Sequence, residues 1–446
     1  MRILHYFLGF PPYRSGGMTK FAVDLMNSQF NDGNDIYAIW PGKISIFPIF
    51  NKLRIKKRKP FNHINNFEII NPLPIPLDEG INIPENFVSV GDENVYREFL
   101  KKIKPDVIHI HTLMGLHEAF VTSANNLKIK TIFTTHDYFG ICPKVTLFNN
   151  NTVCSDNSNC KRCVKCNQNA LSLNKIIIMQ HPFYRLMKNS ILMKKLRSMH
   201  RQKFFENEQL DKIEYRLNNL DYVRLRDHYI GILKKIDIIH FNSNLTKSIY
   251  LKYFLPKRFK VITLSHKDII DNRNNHHIDD KVIRFTYLAS SKPYKGLYFL
   301  IDCLDVLYRN KKYKFILNVY TDFDQKYMRE YIRVPKKSFL QSELKDIFSK
   351  TDMMLAPSIW YETFGFTVLE ALSNAVPVFV TENVGAKDVV YNGGIISEVN
   401  KNKFIKYLSQ LNHKKLKQYT NAIKSKDFEI KTWDSFRNQI YDLYKK

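Results

Sequence analysis

Apolar residues in this chain come in short runs separated by amphipathic stretches, the rhythm of buried strands alternating with helices. Arg2–Leu8 is such a run. A loop with two prolines and a Gly-Gly pair follows over Gly9–Gly17, and Thr19–Phe30 then carries a helical pattern. Strands are predicted at Asp35–Trp40, Val107–His111, Thr131–Thr135 and Ile236–Asn242, with helical intervals that imply parallel crossovers. The rhythm breaks between about Cys142 and Lys234, first for a polar, cysteine-bearing loop and then for a long basic helical region. His266–Lys281 is polar, rich in Asn, His and Asp, and aperiodic, so it reads as a linker. A second alternating set follows at Ile283–Leu288, Lys314–Tyr320, Met353–Ala356 and Val376–Val380. No internal repeat relates the halves.

The 446 residues exceed one ordinary core, which agrees with two α/β domains. The expected division is 1–265 (with the insertion at about 142–234), a linker at 266–281, 282–426, and a terminal segment at 427–446. Lys and Arg number 69 against 42 Asp and Glu, and the net charge of +27 attracts polyanions: nucleic acid, an anionic membrane surface or phosphorylated substrates. The chain is also rich in Asn, Lys and Ile, so part of this excess is compositional. No zinc-finger spacing or aromatic-basic RNA motif supports a nucleic-acid partner.

No stretch approaches the ~18 apolar residues of a membrane span. Met1–Phe10 is followed at once by Pro11-Pro12 and Arg14, without a small-residue cleavage site, and reads as a strand rather than a signal peptide. The expectation is a cytoplasmic protein. The run Lys175–Lys203 holds eight Lys and Arg and no Asp or Glu, interleaved with Ile, Leu, Met and Phe. It fits peripheral docking on the inner membrane face and packing on the protein equally well.

The richest chemistry lies in Tyr361–Leu372, where Glu362 and Glu370 stand eight positions apart with Gly365 between them. Met353–Ser358 reads as a strand ending in a loop, so Glu362 falls at a strand's carboxyl end and Glu370 about two turns into the next helix. In an open α/β sheet, ligands bind at that edge. Gly365 lets the backbone approach a ligand, and the amides of Phe366 and Thr367 at the helix start favour a diphosphate. The carboxylates can accept hydrogen bonds from sugar hydroxyls, an arrangement suited to a nucleotide sugar. The spacing alone is more often two solvated helix residues.

Gly16-Gly17 closes the first strand-to-helix loop, where it serves either a turn or close approach to a phosphate. In Asp106–His111, alternation puts His109 and His111 on one side of the strand, with His111 nearer the ligand edge. Thr134-Thr135-His136-Asp137 ends the next strand. Cys142, Cys154, Cys160, Cys163 and Cys166 cluster in sequence, far from Cys303. Four thiolates, taken as Cys154, Cys160, Cys163 and Cys166, could hold a structural zinc; an iron–sulfur cluster fits less well, and the rival is a loop of reduced thiols. Asp322-x-Asp324 lacks a metal-site context and reads as a loop.

The phrase from Met353 through Glu370 resembles the donor-site motif of family-4 retaining glycosyltransferases of the GT-B fold. The cysteine loop after His136-Asp137-Tyr138 resembles that of a subset of them. The resemblance implies two Rossmann-like domains facing across a cleft, the first carrying the cysteine loop and basic helical insertion and binding the acceptor. The second would bind a nucleotide-diphosphate sugar, and Trp433–Tyr444 would cross back onto the first. It implies that Glu362 orients the sugar, Glu370 the ribose, and Lys295 of the Lys295-Gly296 pair the diphosphate. Gly16 and Gly17 would match the family's N-terminal glycine loop, His111 would lie beside the reacting sugar, and His136 and Asp137 would shape the acceptor side. Ser290 stands where the family has a diphosphate-binding arginine, Ala375 where it favours glycine and Asp388 where it favours glutamate. The implied reaction is a same-face displacement requiring no cofactor, with a glycan or lipid-linked acceptor in surface polysaccharide assembly: O-antigen, capsule or exopolysaccharide. The alternatives are a catalytically weakened GT-B protein, suggested by Ser290, and a basic nucleic-acid-binding protein with a metal-binding cysteine cluster.

Overall fold

The computed structural model describes residues 1–45, 52–76, 80–149, 151–155, 159–187, 190, 193, 218–273, 278, 282–309 and 314–445. Two sheets organise them. In the first half the strands are β1 (Arg2–Tyr6), β2 (Asp35–Pro41), β3 (Arg54–Phe61), β4 (Ile64–Ile70), β5 (Val107–Ile110) and β6 (Lys130–Thr134). A small antiparallel pair follows, β7 (Phe148–Asn149) with β8 (Thr152–Val153), and then β9 (Ile238–Phe241) and β10 (Phe259–Val261). The second half carries β11 (Ile283–Tyr287), β12 (Phe315–Val319), β13 (Ile332–Arg333), β14 (Met353–Ala356), β15 (Val378–Thr381) and β16 (Gly394–Ser397). The first sheet runs β10-β9-β6-β5-β1-β2-β4-β3 and the second β13-β12-β11-β14-β15-β16. Every pairing in both is parallel except β3 with β4.

Central strands such as β1, β5 and β14 are almost wholly buried because helices cover both faces. The hairpin β3–β4 departs from the expected strand–helix alternation. Arg54, Lys56, Lys57, Arg58 and Lys59 leave β3 no apolar face, which a sheet edge tolerates. Helix ends follow local chemistry. Asp92 accepts the Asn94 N–H at 2.9 Å at the start of Glu93–Ile103, and Asn218 forms a capping box with Asp221 at the start of Asn219–Lys235. That last helix closes the insertion.

The described part of the basic run forms two short helices, Leu173–Gln180 and Pro182–Met187. Arg185 there packs onto the protein: it pairs with buried Glu68 at 3.0 Å and lies 4.2 Å and 4.9 Å over the rings of Tyr13 and Trp40. Lys188, Lys194, Lys195, Arg197, Arg201 and Lys203 lie outside the described residues. No helix among the described residues is long and apolar enough to cross a membrane.

The helix Trp433–Lys445 lies against the helix Gly17–Asn31. Trp433 Nε1 donates to Ser28 Oγ at 2.9 Å, and Arg437 and Tyr441 both reach Asp32, at 2.6 Å and 2.8 Å. One apolar core runs continuously from Phe21 and Trp433 to Val368 and Leu372, between the two sheets.

Candidate active site

The loops after β11 and β14 meet at the carboxyl edge of the second sheet. They form a small pocket lined by Tyr287, Lys295, Ser358, Glu362, Gly365 and Thr367, among others. Lys295 Nζ donates to Glu362 Oε1 at 2.6 Å, and Ser358 Oγ donates to Oε2 at 2.5 Å. Glu362 is further fixed by its backbone. Its N–H donates to the Asn383 carbonyl at 2.8 Å, and its carbonyl accepts the Gly385 N–H at 2.9 Å. Lys295 Nζ also sits 5.2 Å over the Trp360 ring. The result is a held carboxylate beside a held ammonium.

Two glycines are required here. Gly296 has φ +81°, and a Cβ would come 1.9 Å from the Pro357 carbonyl oxygen, so only glycine lets the two loops touch. Gly365 has φ +104° and caps the helix Phe366–Ser373, whose first amides open beside Glu362. Across from it, a Cβ on Gly17 would lie 4.0 Å from the Phe366 ring, so the N-terminal glycine loop faces this helix start.

Glu370 differs from expectation in position and surroundings. It is the fifth residue of its helix, just over one turn in rather than two, because the helix begins only at Phe366. It is 6% exposed, and Oε1 accepts from Gln341 Nε2 at 2.7 Å and pairs with His266 Nε2 at 3.0 Å. Ser290 and Glu370 do not line the pocket that holds Lys295 and Glu362. Ser290 is exposed, with its carbonyl accepting from Tyr287 Oη at 2.7 Å, and contributes no cation. Asp388 accepts the Asn244 N–H at 2.6 Å, joining the second domain to the start of the helix Asn244–Tyr250 in the first.

On the first sheet, His111 follows β5 and is fully buried. Its Nε2 is 3.0 Å from His5 Nδ1 and its Nδ1 is 3.2 Å from His136 Nε2. His136 is half-buried, packed against Phe21 at 4.8 Å between ring centres, and stands at the domain seam, where Thr363 Oγ1 donates to its carbonyl at 3.1 Å. His136, not His111, therefore has the exposed edge. Asp137 accepts the Phe139 N–H at 2.8 Å and the Thr112 hydroxyl at 3.3 Å, yet burial pushes its carboxyl up to about 6.

His5, His109 and His111 are the one group of three among the described residues whose ligand atoms lie within 4.8 Å of one another. Each of their ring nitrogens is already hydrogen-bonded within the protein, so the group is no vacant ligand set. Cys142, Cys160 and Cys163 are buried in the first domain's core, and no cysteine is in a disulfide. A hydrogen bond with Cys160, then burial, raises Cys163; burial raises Cys142 to about 12; and Arg226 approaches Cys163 Sγ at 4.0 Å.

Sequence reasoning passed over Ser358, Trp360, His266, Gln341 and His5. Ser358 lies in the loop that ends Met353–Ser358, and His5 could have been found from strand register, since it pairs laterally with His109. Gln341 and Trp360 carry no pattern that singles them out.

Residues 268–426 match the family described as "Glycosyl transferases group 1". No curated protein matches the sequence. Among solved structures, a glycosyltransferase from Rickettsia africae is similar over 100% of this chain and 97% of its own, at 14% identity and a TM-score of 0.59. Anabaena HepE in complex with UDP and glucose covers 100% and 99%, at 13% identity and a TM-score of 0.53. WaaG, a glycosyltransferase involved in lipopolysaccharide biosynthesis, covers 99% of each chain, at 12% identity and a TM-score of 0.51. Both sheets and their facing loops have the GT-B arrangement of these neighbours. Residues 268–426 therefore form a group 1 glycosyl transferase domain within a GT-B fold, and this chain is a glycosyltransferase enzyme.

Proposed function

We propose that the enzyme moves a sugar from a nucleotide-diphosphate donor to a glycan or lipid-linked acceptor with retention, in the assembly of a surface polysaccharide at the inner membrane face. The observation that carries this is the held Lys295–Glu362 pair beside the open helix start at Gly365–Thr367. In this reading Lys295 and the amides of Phe366 and Thr367 stabilise charge on the departing diphosphate, while Glu362 orients the sugar. Glu370 takes the ribose with the carboxylate oxygen that Gln341 and His266 leave open. His136, backed by His111, and Asp137, whose carboxyl burial raises to about 6, form the acceptor wall. Gly16 and Gly17 approach the donor from the opposite side. No cofactor enters the reaction.

HepE's complex with UDP and glucose and WaaG's part in lipopolysaccharide biosynthesis support the donor class and the acceptor class respectively. The test is a thermal-shift screen of sugar nucleotides, then transfer of the best donor to lipid-linked acceptors, with the anomeric configuration of the product read by NMR. Stabilisation by one sugar nucleotide and a retained configuration are expected. An inverted product, or no stabilisation by any sugar nucleotide, refutes the proposal.

A further inference from the structure

Half-buried His136 and the buried histidines His111, His5, His109 and His240 form one unbroken hydrogen-bonded string. From the domain seam inward, His136 Nε2 meets His111 Nδ1 at 3.2 Å, and His111 Nε2 meets His5 Nδ1 at 3.0 Å. His5 Nε2 meets Gln29 Oε1 at 2.7 Å, and Gln29 Nε2 donates to Tyr444 Oη at 3.0 Å. Tyr444 Oη meets His109 Nδ1 at 2.7 Å, and His109 Nε2 meets Thr134 Oγ1, also at 2.7 Å. Thr134 Oγ1 then meets His240 Nδ1 at 2.8 Å, and the string ends where His240 Nε2 meets the Ile262 carbonyl at 2.8 Å.

The last contact gives the string a direction. A carbonyl can only accept, so His240 carries its proton on Nε2 and accepts on Nδ1. Thr134 must donate to that Nδ1, so it accepts from His109 Nε2–H, which leaves His109 Nδ1 to accept from Tyr444. Tyr444, with its one proton committed, accepts from the Gln29 amide nitrogen. The Gln29 oxygen then accepts from His5 Nε2–H, His5 Nδ1 from His111 Nε2–H, and His111 Nδ1 from His136 Nε2–H. This holds while all five rings are neutral. Burial ensures that: it lowers His5 and His240 to about 4 and His136 to about 3, and holds His109 and His111 well below the ordinary value. Reversing the string would set the bare Nε2 of His240 against a carbonyl lone pair.

We propose that Gln29, His5 and Tyr444 are positioning residues that hold His111 as its Nε2–H tautomer and leave the Nδ1 of His136 a bare acceptor at the seam between the domains. Tyr444 is the joint. It reaches the string from the C-terminal helix, held there by Lys130, which donates to its carbonyl at 2.7 Å. Without its hydroxyl, the Gln29 amide can turn over, and the three rings beyond it lose the Ile262 anchor. The inference rests on the reading of His136 and His111 as the acceptor wall.

The experiment is long-range ¹H–¹⁵N NMR of the histidine-labelled full-length enzyme, paired with steady-state kinetics, for wild type, Tyr444→Phe and Gln29→Leu. Wild type should show His5, His109, His111, His136 and His240 all protonated on Nε2. In Tyr444→Phe, His109 and His240 keep that tautomer, while His5, His111 and His136 become mixed. The kcat then falls about two- to tenfold with the donor KM unchanged, less than the 10²–10⁴ of a lost proton-transfer group because the right tautomer stays partly populated. Gln29→Leu should unpin the same three rings. An Nδ1–H form of His111 in wild type, or tautomers unmoved in both variants, overturns the proposal. Moved tautomers with unchanged kcat overturn the positioning role. The NMR readout needs no donor, so an enzyme inactive with every sugar nucleotide fails the functional reading while leaving the directional string to stand or fall separately.

Discussion

Replacing Glu370 by alanine removes a carboxylate with two separable duties. One is the proposed ribose contact. A charge-assisted hydrogen bond of this kind contributes roughly 1.5–3 kcal/mol, or about a 10- to 150-fold change in affinity. The other duty is visible in the fold: Oε1 satisfies Gln341 at 2.7 Å and His266, itself 5% exposed, at 3.0 Å. Gln341 is exposed and can turn to water, but leaving the buried His266 donor without an acceptor costs about 1–3 kcal/mol. Glu370→Ala should therefore weaken nucleoside diphosphate binding at least tenfold by calorimetry and also lower the melting temperature by several degrees. Glu370→Gln separates the two. Its amide oxygen still accepts from one of the pair, so most of the thermal loss should be recovered while the charge-assisted part of the affinity is not. If Glu370→Ala melts lower yet binds the nucleotide within twofold of wild type, the residue is a clamp between the helix and the linker and the ribose assignment is wrong.

Lys295→Ala should lower kcat about 10- to 150-fold, from the same 1.5–3 kcal/mol scale for a charged hydrogen bond, with a smaller change in nucleotide Kd; an unchanged kcat with the loss confined to Kd would place Lys295 in ground-state binding alone. Stability should fall steeply as pH drops from about 6.5 towards 4. Burial lowers His5, His109, His111, His117, His136 and His240, so below 6.5 the unfolded chain binds protons that the native state refuses, and Asp137, raised to about 6, offsets only one of them. A melting temperature flat from pH 7 to pH 5 would contradict this. If the cysteine loop holds zinc, elemental analysis should find about one metal per chain, and chelation should expose the loop to proteolysis without altering nucleotide binding; metal-free protein with an unchanged digestion pattern leaves the loop as buried thiols.

The parallel architecture was legible because strands covered on both faces leave continuous apolar runs, and nearly all of those runs are strands within a residue or two. The edges were not. Strand β3 is mostly cations, β13 is two residues long and β16 is Gly394–Ser397, each too short or too polar to leave a period. The Lys295–Glu362 pocket was legible because local motifs build both of its sides. The partners of Glu370 were not. Gln341 lies 29 residues away in a 3₁₀ turn, and His266 sat in a stretch whose polarity reads as linker.

The histidine string shows the limit most clearly. Its links join residues 24, 106, 335 and 415 positions apart, and no motif spans such distances. What the sequence does contain is the condition for it: histidines at matched positions on strands that the parallel register places side by side, His5 opposite His109 and Thr134 opposite His240. Burying that many imidazoles neutral is expensive unless every nitrogen finds a partner. A run of paired rings must also begin or end on a group that cannot reverse. The Ile262 carbonyl is that group, and Tyr444 of the final helix is the link without which its influence stops at His109. The packing of the C-terminal helix onto the first domain thus has a chemical consequence as well as a structural one. It completes the side-chain string that runs from that carbonyl to the ring of His136, which stands where the two domains meet.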